Sequence, residues 1–402
     1  MRWKEVIKTN ALFLCCVGGL LAAGLVTLWG IPPPRVKAGA APPSEHYFFY
    51  KQLVWLGASA LVVLALMIPH YLRFRSHAYW LYALALMAVA ALRFAGPSIA
   101  PVINGARRWF SVAGITVQPS EFAKIATVLV LARHMMYQHN IKTWTGLVGP
   151  FLLTACPLLL VLSQPDLGSS LVFFPALLAM VYAAGARRSH LVLILLATLA
   201  FLPVAYFSVL HDYQRSRLTS FLHPSDSPLG DSFQQLRAIA SVASGGWLGA
   251  DWPEGQANYA YSVPEHHTDF IWSTFSEDWG LLGTTIVVSL FVGYLLSVLL
   301  LAFRTREPFG RLVVIGLITM QTVQAAINIG MNVGIAPITG ITLPYVSYGG
   351  SSLVSSFLAF ALILNVNSRW VPTFGNREFQ GEQGEIPHVG LEPLKRGTPP
   401  GA

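Results

Sequence analysis

The sequence is short of charge and of cysteine. Only 11% of its 402 residues are charged, whereas a soluble domain carries about a quarter. Its three cysteines, Cys15, Cys16 and Cys156, all fall in apolar runs. Their number and spacing exclude a disulfide framework and a cysteine metal site. Alternation of apolar and polar residues is also missing, which argues against strands with one wet face. What remains is a chain that is 54% hydrophobic, in continuous stretches near the roughly 20 residues needed to cross a bilayer. Backbone in lipid must satisfy its own hydrogen bonds as helices or a closed barrel, and continuous runs select helices.

The expected fold is therefore an all-α integral membrane protein with about ten transmembrane helices. We place them near 11–30, 53–70, 79–98, 119–138, 145–163, 168–185, 190–210, 279–303, 311–333 and 351–368. The first run follows basic residues but lacks a small-residue cleavage site, so it reads as a retained span. Residues 1–370 form one polytopic domain, and 371–402, rich in Gly, Pro and Glu, read as a disordered tail.

Lys and Arg set the orientation. With the N-terminus in the cytoplasm, successive inner connections hold Arg73 and Arg75, Arg133 and Lys142, Arg187 and Arg188, then Arg304, Arg306 and Arg311. Both termini are then expected on the cytoplasmic side. The net charge of +8 is spread over these loops rather than gathered on one face, which excludes a nucleic-acid partner.

One outer loop stands apart, covering about 211–278, before the eighth span. Nine of the 18 acidic residues lie between Asp212 and Asp278, alongside Phe233, Trp247, Trp252, Tyr259, Tyr261, Phe270 and Trp272. A loop this long is functional or disordered, and this composition points to structure. Three more segments share that side. "NGARRWFSVAGITVQPSEFAK" (104–124) brings Arg107 and Arg108, then Glu121 and Lys124 on one helix face. "SQPDLGSS" (163–170) sets Asp166 between two spans, and "NIGMNVGIAPITGITLPYVSYGGSS" (328–352) interrupts a helix at membrane depth. Irregular backbone there must be buried in protein or line a cavity.

These segments resemble the signatures of the SEDS family (shape, elongation, division and sporulation), whose members include RodA, FtsW and SpoVE. "GARRWF…QPSEFAKIA", "QPDLGSSLV", "VPEHHTDFIWSTFSEDWGLLG" and "NIGMNVGIAPITGITLPYVSYGGSSL" occur in the family's order, over about residues 50–368. The loop text is more similar to the RodA branch. Departures are the Pro-rich 31–44, "YKQL" at 50–53, and Glu277–Asp278 in place of a Glu–Glu pair. The resemblance implies a ten-helix glycosyltransferase of the bacterial cytoplasmic membrane. It would polymerise lipid II into peptidoglycan by inverting transfer, releasing undecaprenyl pyrophosphate, beside a class B penicillin-binding protein. It ties catalysis to Asp269.

That chemistry needs a base for an acceptor hydroxyl, which a carboxylate can be. It also needs cationic help for the departing pyrophosphate, from Arg or Lys or a divalent cation such as Mg or Mn. No metal motif is evident in the sequence. Asp269 is the expected base. Arg107, Arg108, Glu121, Lys124, Glu265, Thr268, Ser347 and Gly349 are the expected substrate contacts. Each has a plainer alternative: Asp269 as a first-turn acid of the next helix, Glu121 and Lys124 as an ion pair between helices, Arg107 and Arg108 as interfacial anchors, Asp166 as a cap. His266 and His267 are adjacent, a poor spacing for chelation. Two rival functions remain. A lipid II flippase would need a polar path through both leaflets. A non-catalytic scaffold for a penicillin-binding protein would not need a carboxylate at Asp269.

Overall fold

The computed structural model describes residues 10–34, 43–102, 106–112, 115–208, 212–222, 232–250, 263 and 265–369. The 371–402 tail and Trp252, Tyr259 and Tyr261 of the long loop lie outside them. Ten longer helices follow the apolar runs: α1 (Ala11–Gly30), α2 (Tyr47–Met67), α3 (Leu72–Phe94), α4 (Pro119–Met135), α5 (Trp144–Leu162), α6 (Leu167–Ala183), α7 (Arg188–Ser208), α10 (Ile271–Arg304), α11 (Pro308–Asn332) and α12 (Gly350–Ser368). Two more, α8 (Asp212–Leu222) and α9 (Phe233–Ser244), lie between α7 and α10. Seven (α1, α2, α3, α5, α10, α11 and α12) are long and apolar enough to cross a membrane. Helices α4 and α6 have only 17 residues each.

The helices pack in pairs: α2 on α12, α3 on α4, α1 on α10, α6 on α11. Phe13 of α1 stacks between Tyr294 of α10 and Phe360 of α12, with ring centroids 5.6 and 4.9 Å away. Such offset aromatic pairs add to the area they bury. One departure from an all-α chain is a small antiparallel hairpin, β1 (Phe110–Val112) and β2 (Ile115–Val117), with Phe110 opposite Val117. It leads directly into α4.

Helix α10 starts eight residues before the apolar run that announces it at 279. Its first part, "IWSTFSEDW", holds Glu277 and Asp278, so hydropathy alone hides it. The two parts meet at Gly280, with φ 61° and ψ −162°, a conformation open to glycine. The break is repaired from outside. Leu281 N donates to Gly246 O at 2.9 Å and Leu282 N to Trp247 O at 3.1 Å. The freed carbonyl of Glu277 accepts from Ala250 N at 2.8 Å. Glu277 itself is buried and accepts from Ser241 Oγ of α9 at 2.6 Å. Backbone groups shut away from water need partners, and here the 245–250 turn supplies them. The segment before α10 is thereby fixed to its own helix.

Candidate active site

Asp269 stands at the end of a turn over residues 265–270, immediately before α10. It is not the cap of that helix, a position taken by Phe270. Its backbone carbonyl accepts two amides from α11, Asn328 Nδ2 at 2.8 Å and Asn332 Nδ2 at 3.2 Å. Asn332 Oδ1 in turn accepts from Ser273 N at 3.2 Å, capping α10 from another helix. Asn328 Nδ2 also reaches Ile341 O at 2.6 Å. One side chain therefore holds the turn against the irregular stretch that follows α11.

That stretch is pinned from its other end. Ser347 Oγ donates to Thr268 O at 2.7 Å and accepts from Leu343 N at 2.8 Å. Tyr348 N donates to His267 O at 3.0 Å. Gln52 of α2 donates to Ser347 O at 3.0 Å and accepts from Gly349 N at 3.4 Å. Thr268 Oγ1 donates back to Glu265, whose φ of 60° is a strained backbone position of the kind that collects at functional sites. His267 stacks on Phe48 at 4.2 Å, and burial brings its pKa down to about 4, so it is neutral at pH 7. His266, lowered by burial too, donates from Nδ1 to Val263 O at 3.0 Å.

Charge converges on Asp269. Burial is the largest influence, and it pushes the carboxyl up to about 7, with Glu265 and Asp166 adding in the same direction and Arg217 and Arg108 opposing. Each of these four residues but Glu265 comes from a different segment. Arg108 is aimed by the connection before α6, donating from Nε to Gln164 O at 3.2 Å and from Nη2 to Pro165 O. Asp166 caps α6 through Ser169 N at 3.1 Å and accepts from Gln118 Nε2 at 3.1 Å, so its capping role is real. Arg217 of α8 donates to Ile338 O at 3.2 Å. Two residues on, Gly340 has φ +73°, and a Cβ there would lie 3.5 Å from Asp269 Oδ2. The contact would be an ordinary one, so it is the backbone conformation that calls for glycine.

The other expected contacts lie elsewhere. Arg107 is engaged at Ala95 O, 3.1 Å away. Glu121 and Lys124 form a 2.8 Å ion pair, 6% and 1% exposed. Lys124 also reaches Gln324 Oε1 at 3.1 Å, and Ser355 Oγ reaches Glu121 Oε2 at 2.8 Å. Gln324 passes the network to Thr342 O at 3.1 Å. The pair is thus met by protein groups and joins α4 to α11 and α12. Gln324, Asn328 and Asn332 follow one another at four-residue spacing along one face of α11. That row is available in the sequence as polar residues in an apolar helix. Arg217 has no such signal, since nothing local distinguishes it from Arg215.

A cavity of about 390 Å³ opens between α3, α4 and α12, walled by Leu81, Leu84, Phe122, Leu358 and the hairpin's Phe110 and Val117. The 104–124 segment reaches this cavity through Phe110, Val117, Pro119 and Phe122. The 334–350 segment instead folds inward, where Ile341, Leu343, Tyr345 and Val346 are buried. Among the described residues no group of three or more His, Cys, Asp or Glu is placed to hold a metal ion. Arg108 and Arg217 offset part of the acidic charge around Asp269.

The chain matches the FtsW/RodA/SpoVE profile, described as "Cell cycle protein", over residues 10–370. A probable peptidoglycan glycosyltransferase FtsW of Geobacter metallireducens is 33% identical over 91% of this chain and 96% of its own. Stage V sporulation protein E of Bacillus subtilis is 32% identical, covering 87% and 94%. Peptidoglycan glycosyltransferase MrdB of Escherichia coli K12 is also 32% identical, covering 78% and 83%. These near-equal identities do not separate the branches. Among solved structures, a chain of a peptidoglycan synthase complex that coordinates polymerization and crosslinking aligns at TM-score 0.74 and 30% identity, covering 89% of this chain and 96% of that one. Thermus thermophilus rod shape determining protein RodA aligns at 0.64 and 27%, covering 89% and 95%. The chain belongs to the FtsW/RodA/SpoVE family of cell cycle proteins.

Proposed function

We propose that this chain is a peptidoglycan glycosyltransferase that polymerises lipid II, with Asp269 as general base. The observation that carries the reading is the Asp269 carboxyl itself. It is pushed up to about 7 by burial, and Arg108 and Arg217 act on it from two other segments. A base works best when its pKa lies near the working pH. Asp269 takes the proton of an acceptor hydroxyl as that oxygen attacks the donor's anomeric carbon. The bond to pyrophosphate breaks on the opposite face, which inverts the configuration. Arg108 and Arg217 stabilise the charge on the departing pyrophosphate. Glu265, Thr268, Ser347 and Gly349 build the floor that holds the base, and Arg107 anchors the adjacent strand connection. Glu121 and Lys124 support the floor from beneath.

The membrane arrangement that suits this chemistry has ten spans within residues 1–370, the 211–278 segment outside, and both termini in the cytoplasm. Its support is the run of basic inner connections. A cysteine placed at Ser225 is then expected to react with an impermeant maleimide in intact cells, and protection of that site would reverse the orientation. A class B penicillin-binding protein is the expected partner, supported by the likeness to a synthase complex. The flippase reading has less support, because the converging charges sit at one end of the bundle. The deciding experiment supplies the purified protein with labelled lipid II, with and without the partner, and separates the products on a gel. Glycan ladders are expected; lipid II consumed only by translocation across vesicles would favour the flippase.

A further inference from the structure

Helix α9 is built inside out. Its buried residues are Gln235, Ala238 and Ser241, two of them polar. Both polar side chains are engaged: Gln235 Nε2 donates to Ala336 O at 3.0 Å, and Ser241 Oγ lies 2.6 Å from Glu277 Oε2 and 3.0 Å from Ser273 O. The other side is apolar and open. Leu236, Ile239 and Ala243 are exposed at helical spacing, and the stripe continues into the turn with Trp247, 76% exposed, and Leu248, 78% exposed. Exposed Ile335 extends it, next to Gly334, against which Ile239 packs. A helix that faces water shows the reverse pattern. An open apolar patch of this kind marks a contact with membrane or with protein.

The place of the stripe in the fold decides between them. Helices α10 and α11 are joined by Tyr294 with Gln321 and, nearer Asp269, by Ser273 with Asn332. Between these two joints a straight α10 would run about 32 Å, whereas α11 runs only about 17 Å. Helix α10 therefore does not continue straight past Gly280, and its first part turns across the end of the bundle. Helix α9 lies alongside that part, with Ser241 on Ser273 and Glu277 and with Gly245 on Ser276. It is carried across the end of the bundle too. Its level is fixed by the hydrogen bonds from Leu281 N to Gly246 O and from Leu282 N to Trp247 O. Leu281 and Leu282 are exposed on the flank of the apolar span, so Trp247 and Leu248 stand where lipid meets that flank. Trp is enriched at this depth. A protein-docking face closes with a polar rim; this stripe runs straight onto the side of a membrane helix.

We propose that α9 and the 245–250 turn form a membrane-interface element, with Leu236, Ile239, Trp247 and Leu248 immersed in the leaflet at the Asp269 end of the bundle. The partner is the lipid surface itself. Interfacial helices bind by the apolar area they bury below the headgroups. Helix α9 also holds Glu277 through Ser241, so its immersion sets the depth of the segment that follows Asp269.

The test reads lipid contact and not turnover, so it stands apart from the glycosyltransferase reading. Full-length wild-type protein is reconstituted without substrate into vesicles of phosphatidylethanolamine and phosphatidylglycerol. One sample carries a trace of phospholipid with a diazirine on its acyl chain, the other a water-soluble diazirine. After irradiation the labelled residues are located by peptide mass spectrometry. The ratio of lipid to aqueous label at Trp247 and Leu248 is expected to match that at Leu282. It is expected to exceed that at exposed Glu265 about tenfold, the scale on which one large apolar side chain partitions. Joint Trp247→Ser and Leu248→Ser substitution keeps the backbone carbonyls that bind Leu281 and Leu282. It is expected to lower the lipid label on the turn about tenfold while Leu282 keeps its own. A wild-type ratio at Trp247 and Leu248 equal to that at Glu265 overturns the proposal, leaving the stripe in water. Protection of both residues from both reagents overturns it as well, assigning the stripe to a protein contact. The wild-type ratios are read without any substitution, so a variant that misfolds leaves the test decisive.

Discussion

Asp269→Asn is expected to lower lipid II polymerisation about 10²–10⁴-fold, the usual loss on removing a general base. The substitution preserves shape, and it leaves untouched the backbone carbonyl that Asn328 and Asn332 grip. The protein is therefore expected to fold, reach the membrane and bind lipid II. Its sign with pH follows from the direction of the shift. The carboxyl is raised from 3.8 to about 7, so the ionised, basic form predominates only above about 7. Wild-type turnover is expected to rise as pH increases through that value and to fall away below it. Stability has the opposite sense for this group. A raised carboxyl pKa favours the folded state at low pH, where the group is protonated in the fold, and works against it as pH rises through about 7. The amide of the Asp269→Asn variant carries no such penalty, so at pH 8 the variant is expected to melt no lower than the wild type. A gel of glycan products across pH 5.5–8.5, with a thermal melt on the same samples, measures both. Polymerisation by the variant at the wild-type rate would remove Asp269 from the chemistry and raise the scaffold reading.

The approach of Arg108 and Arg217 to one carboxylate shows what a sequence can and cannot carry. The apolar runs forecast where the long helices lie, though α2, α3 and α10 start before the runs at 53, 79 and 279, because crossing lipid imposes a length and a composition on each segment independently of the rest. Asp269 is marked by its motif, and Arg108 by its neighbours. Arg217 is not, because its role depends on segments far from it in sequence; Asn328 and Asn332 show as polar residues in an apolar helix, but not which backbone groups they grip. Asn328 touches both Asp269 and Ile341, a meeting that exists only after α11 packs and the chain doubles back. Hydropathy misplaces the start of α10 for a related reason. Glu277 looks like a residue of a wet loop, yet it is buried because Ser241 of α9 meets it. Local hydropathy has no means of registering a partner supplied by another helix.

The same dependence on tertiary partners makes Lys124 the residue whose loss is expected to damage the fold most. Its ammonium lies 2.8 Å from Glu121 Oε1, and both residues are shut away from water. A buried pair of this kind contributes little net stability against an apolar replacement, since both charges were stripped of water to form it. Breaking it from one side is different. Lys124→Met leaves Glu121 buried beside Ser355 Oγ without the ammonium, and Gln324 Oε1 loses its donor. A cost of about 3–5 kcal/mol is expected, read as a lowered thermal midpoint in detergent. Adding Glu121→Gln removes the stranded charge, and the amide can still accept from Ser355. The double variant is therefore expected to regain most of what the single variant lost. Recovery of that kind marks the pair as a joint between α4, α11 and α12. If the double variant melts as low as Lys124→Met, the stranded charge is not the cause, and the packing of the lysine stem against α11 carries the effect instead.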